Sequence, residues 1–216
     1  IVAALAAIIT LVPYAIVYSF PSEAVEIDGY FMDWLKANKY KDTPDSENPS
    51  ISISSYAAKS GRGGSFFYIS TEGSMFSGRD GGADCFYIFI DRDDNPLSGY
   101  SVAGLGADAI IKVIGWNDTL ILAEERVFRS SASRQDFGGF IAHSEAKAAF
   151  FKNELEVAGP VLIDENSRIV ICARHTTTPD DWSEVSFRTG GAAVRIVEDR
   201  NAPAVYIPDS RQRALT

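Results

Sequence analysis

Two hydrophobic patterns divide the chain. Residues 1 to 20 are apolar almost without interruption, relieved only by Thr10, Ser19 and the tyrosines Tyr14 and Tyr18. After Pro21, apolar residues fall into short runs or alternate with polar ones, bounded by Gly, Asn, Asp and Ser. The first pattern predicts a hydrophobic α-helix over residues 1–21, because about 20 residues at 1.5 Å each span about 30 Å. Pro13 would kink such a helix and Pro21 would end it. The second pattern predicts strands near AVEIDG, SISISSYAAK, GSFFYISTEG, DCFYIFIDRD, DAIIKVIGW, LILAEERVF, GFIAHSE, AAFFKNELEVAGP, SRIVICARH and GAAVRIVE. Strands of this length with turn signals between them predict an all-β fold. The expected architecture is a jelly-roll-like antiparallel β-sandwich over residues 22–200. The tail, 201–216, carries two prolines and ends polar, as suits an edge strand and a loose end.

Finer features follow from the same pattern. In SISISSY, Ile51, Ile53 and Ser55 are expected on one face and Ser52 and Ser54 on the other. FYIFI is apolar on both faces and predicts a central strand. A short helical turn is expected over residues 32–37. GRGG and DGGAD have the composition of hairpin turns.

Composition narrows the function classes. Hydrophobic residues make up 46% of the chain and charged residues 23%, enough for a packed core. The net charge is −9 and all of it lies after residue 22. An acidic body argues against a nucleic-acid partner and is compatible with bound cations and an extracellular setting. Cys85 and Cys172 lack the close spacing of a metal-thiolate site and could form one disulfide or remain two buried thiols. There are two histidines, His143 and His175, and no HExxH or GxSxG motif. The carboxylates of PDDWSE, Asp180, Asp181 and Glu184, fit a solvated turn, so no catalytic residue is expected.

Three groups carry candidate chemistry. In DRDDNPLSGY, Asp91, Asp93 and Asn95 alternate along a loop that leaves a hydrophobic strand. Such oxygens can converge on Ca2+ if the loop curls, although Pro96 and Val102 stand where an EF-hand needs Gly and Glu. Asp84 and Asp108 are possible further ligands, and an ordinary polar turn is the alternative. Trp116 and Trp182 are candidate sugar-stacking platforms, whereas Trp34 is assigned to the core. Asn117-Asp118-Thr119 is a glycosylation sequon in an expected turn, making Asn117 the acceptor.

The order VEIDGYFMDW, FFYISTEG, DCFYIFIDRDDNPLSGY and GADAIIKVIGW resembles the family nine carbohydrate-binding modules and related DOMON-like sandwiches of secreted and archaeal surface proteins. The resemblance covers roughly residues 25–197. It implies the sandwich and a sugar-binding aromatic pair, but that pair does not map onto these positions.

The opening segment resembles the N-terminus of type IV pilins and archaellins, in which the mature chain starts with its hydrophobic helix. Leu5, where bacterial pilins have Glu, favours the archaeal variety. Assembly is expected through Ile1, Ala3, Leu5, Ala7, Ile8, Leu11, Val12 and Ile16, with Ala3 and Ala7 permitting close helix approach. A membrane anchor, or a strand donated to a neighbour by the β-prone YAIVYSF, are the alternatives. The expected function is therefore a self-polymerising structural subunit of an extracellular, pilus-like cell-surface filament. It would be membrane-held before assembly. The alternative is a membrane-anchored module that binds surface glycans.

Overall fold

The computed structural model describes residues 25–78, 81–183, 185–189 and 194–195. The helix expected over 1–21 and the tail at 201–216 lie outside the described residues, as does most of GAAVRIVE. Only β15 (Val194–Arg195) is described there, paired with β14 (Val185–Ser186).

Two antiparallel sheets make the fold. One holds β1 (Tyr40–Lys41), β2 (Ile53–Gly61), β3 (Gly64–Thr71), β10 (Lys147–Phe151) and β11 (Glu154–Gly159), in the order β1-β2-β3-β11-β10. The other holds β4 (Asp84–Asp91), β7 (Ala109–Trp116), β8 (Thr119–Phe128), β9 (Phe140–Glu145), β12 (Arg168–His175) and β13 (Asp181–Trp182), in the order β13-β12-β4-β7-β8-β9. The hairpin β5 (Tyr100–Val102) and β6 (Leu105–Ala107) stands apart.

The pleat of β4 explains how the layers stack. Phe86, Ile88 and Ile90 face the first sheet and pack with Phe67, Ile69, Leu155 and Val157 in the core between the sheets. Cys85, Tyr87 and Phe89 point the other way, under Tyr100, Val102 and Leu105 of the β5–β6 hairpin. Every residue of β4 is buried, and β4 runs between β12 and β7. FYIFI is thus the central strand that its two apolar faces demand.

A third cluster, Trp34, Ala57 and Tyr68, covers the outside of the first sheet. Here the expected AVEIDG strand is absent: residues 25–30 form no strand, and a 3-10 turn follows at Phe31–Trp34. The partner that fixes this strap is Glu156 on β11, fully buried. Its Oε1 accepts from the N–H groups of Asp28 and Gly29, each at 2.7 Å, and its Oε2 from Trp34 Nε1 at 3.2 Å. Gly29 has φ of +83°, which favours glycine. Asp33 accepts from Glu26 N at 2.8 Å, and Asp28 from Tyr30 N at 2.8 Å. IDGYFMDW is therefore a folded strap tied to one carboxylate.

Two other expectations are corrected. A register shift between Ile53 and Ser55 in the β2–β3 pairing moves the phase, so Tyr56 and Ala58, not Ser55, follow Ile51 and Ile53 into the core. GRGG does join β2 to β3 as a hairpin, but Gly81–Asp84 precedes a strand of the opposite sheet, so DGGAD lies on a crossover.

Candidate functional site

At the C-terminal end of β4 the chain turns out of the core and three carboxylates meet. Asp91, Asp93 and Asp108 each present an oxygen within 4.8 Å of the others. Asp91 is fully buried, Asp93 is exposed, and Asp108 comes from the junction of β6 and β7. Asp91 accepts from Asn95 N at 3.2 Å and Gly106 N at 3.1 Å. Asp93 accepts from Asn95 N at 3.1 Å and Ser98 Oγ at 3.2 Å. Asp108 accepts from Arg92 N at 2.9 Å.

Asn95 does not join the carboxylates as the alternation suggested. Its Oδ1 accepts from Leu97 N at 3.1 Å, an Asx turn that spends the side chain on the loop itself. Asp94 swings away to Arg188 at 2.6 Å and Arg168 at 3.6 Å. Nor does Asp84 contribute. It begins β4, seven residues and about 23 Å from Asp91 along the strand. It is occupied there by Phe76 N at 2.7 Å, Ser50 Oγ at 3.0 Å and His175 Nδ1 at 2.7 Å.

Burial raises Asp91 to a pKa of about 6, with the neighbouring carboxyls adding to the effect. Burial also raises Asp108. The three acids have the oxygen donors that a hard divalent cation prefers.

Of the two candidate sugar platforms, Trp182 is turned into the core. Trp182 is 6% exposed and stacks on Phe89 at 6.1 Å, with the rings 10° from parallel. Its neighbour Cys172 across the β12–β13 pair belongs to the same cluster. Trp116 is half-buried at the end of β7, and Trp34 is fully buried. The polar frame of PDDWSE suggested exposure, but β13 pairs with β12 and turns Trp182 inward.

The same pairing buries Asp181, so PDDWSE is not the solvated turn its composition suggests. Asp181 Oδ2 accepts from Ile53 N, and Oδ1 from Trp182 N at 2.8 Å. Burial, reinforced by the Asp45 carboxyl, raises Asp181 to about 8. Asp180 pairs with Arg174 at 2.8 Å, and Glu184 lies outside the described residues.

Cys85 and Cys172 are free buried thiols. Cys85 sits across from Arg174, and Cys172 across from Tyr87. They are diagonal neighbours on one face, not a directly opposed pair, and no bridge joins them. Burial pushes the Cys85 thiol up to about 12 and raises Cys172 as well, which leaves both unreactive. Asn117 and Asp118, with φ of 50° and 56°, form the two-residue loop between β7 and β8, and both are exposed.

Comparison with known protein families, with characterised proteins and with solved structures finds no match to this chain. Among the described residues, no helix is long and apolar enough to cross a membrane.

Proposed function

We propose that this chain is a structural subunit of an extracellular, pilus-like filament, assembled through its apolar segment Ile1–Phe20 with the sandwich displayed outside. The observation that carries this reading is the division of labour along the chain. The described residues by themselves make up two main sheets and three apolar clusters, and they carry most of the charged residues. The uncharged opening segment is an addition to that body. Its nine aliphatic residues represent on the order of 10–20 kcal/mol of gross burial. Soluble monomers avoid leaving such a surface in water. A helical form of the segment and packing of its copies in a filament core belong to this proposal. So does kinship with family nine carbohydrate-binding and DOMON-like sandwiches, supported by motif order and the two-sheet body.

The membrane-anchored glycan-binding alternative is the weaker one, because Trp182 is consumed by the core. A divalent cation at Asp91, Asp93 and Asp108 would neutralise crowded carboxylates, and the exposed Asn117 is open to a glycan. Both fit an extracellular setting. Deleting residues 1–20 is expected to give a folded sandwich that no longer assembles. Filaments formed by the truncated chain would refute the proposal.

A further inference from the structure

β9 pairs with β8 only from Phe140↔Phe128 to Glu145↔Glu124. The chain then changes sheet: Ala146 N–H donates to Ala123 O at 3.1 Å, and β10 begins at Lys147 against β11. β8 itself continues to Thr119. Among the described residues, no strand pairs with Thr119–Leu122 on the side that β9 has left, although the start of β10 passes close by. Sheets ordinarily cover such an edge. Here Leu120, Ile121 and Leu122 are half-buried along it.

A cleft of about 800 Å³ opens at this corner, lined by those three residues with Ala142, Ala148 and Ile27. An adjoining cleft of about 600 Å³ shares Ile27 and includes Val25. The described chain thus begins inside the clefts. Phe20 is five Cα steps from Val25, so it lies within at most about 18 Å of it.

We propose that this corner is a strand-addition site whose occupant is the chain's own Tyr14–Phe20. The segment YAIVYSF is uncharged, rich in strand formers and bounded by Pro13 and Pro21, which suit strand ends. Main-chain hydrogen bonds to the open edge of β8 hold it, and its apolar side chains cover Leu120 and Leu122. The four-residue tether, Pro21–Ala24, favours the chain's own segment over a free one. The proposal moves Ile16 from the assembly set to this site and leaves Ile1–Val12, beyond Pro13, for contacts between subunits.

Paired cysteines test it in the full chain, where Cys85 and Cys172 are buried. Ile121→Cys is combined in turn with Ala15→Cys, Ile16→Cys or Val17→Cys and oxidised. At least one pair is expected to cross-link within a single chain. A disulfide between two chains would seat a second copy's segment there and overturn the own-chain assignment. No cross-link in any pair would overturn docking altogether. Hydrogen exchange gives an independent readout. Amides of residues 119–122 are expected to exchange at least tenfold faster in Ile16→Asp than in the unmodified chain, with β4 amides unchanged. Equal rates at 119–122 in the two proteins would overturn the proposal.

Discussion

Glu156 is the residue on which the N-terminal strap depends. It gathers two partly buried backbone N–H groups and the buried Trp34 indole against the outer face of the first sheet. Glu156→Ala leaves those donors without an acceptor, and hydrogen bonds to a charged group are the stronger kind. The substitution is expected to cost about 2–4 kcal/mol in chemical denaturation and to shift Trp34 fluorescence towards that of exposed indole. Asp181 sets a pH dependence. Its folded pKa of about 8 lies above its ordinary value of about 4. Between those values the folded state holds a proton that the unfolded state has lost. The stability it contributes is full below about pH 4 and is lost as pH rises through 8, by at most ~5 kcal/mol. Urea midpoints across pH 4–8 should fall more steeply for the unmodified chain than for Asp181→Asn. An identical slope in the two would contradict this assignment. Neither residue's role could be read from sequence. Glu156 meets its strap across more than 120 residues, and Asp181 looks like one more acid in a polar loop until β13 folds it inward.

At the scale of elements, the strong alternating and continuous apolar runs were legible. β3, β4, β7, β8, β9 and β12 fall where their patterns predict them. Failures came where side-chain chemistry imitates something else. AVEIDG alternates like a strand, yet its backbone donors go to one carboxylate. The β-bulge near Ile53 reverses a face that strict alternation assigns to Ser55. The cation candidate was partly legible: Asp91 and Asp93 stand two apart where β4 ends, and Asp108 was among the possible further ligands, whereas Asn95 serves the turn and Asp84 lies at the far end of β4. Calcium is expected to raise the melting temperature of the unmodified chain by several degrees over chelator, and to have no such effect on Asp93→Asn/Asp108→Asn. An equal melting point with calcium and chelator would leave an ordinary acidic turn. The thiols on β4 and β12 give a further check. Mass spectrometry after alkylation without reductant should show no label on the native protein and two labels after denaturation. Absence of label on the denatured chain would establish a bridge between Cys85 and Cys172.

At the scale of the whole molecule, the proposed filament needs a sandwich that folds without residues 1–20 and an apolar segment that joins it to other copies. In the proposed division of tasks, Pro13 separates Tyr14–Phe20, assigned to the corner beside β8, from Ile1–Val12, assigned to association between subunits. A charge placed in the assembly portion should then abolish polymerisation without disturbing the sandwich, because desolvating a carboxylate among packed aliphatic side chains is prohibitive. The most direct measurement is sedimentation with negative-stain imaging of the full chain beside Ile8→Asp, each checked by far-UV dichroism for an intact β-sheet spectrum. The unmodified chain is expected to pellet as filaments, while Ile8→Asp remains dispersed with the same β spectrum. Filaments of Ile8→Asp in equal yield, or an unmodified chain that forms none, would contradict assembly through the apolar segment.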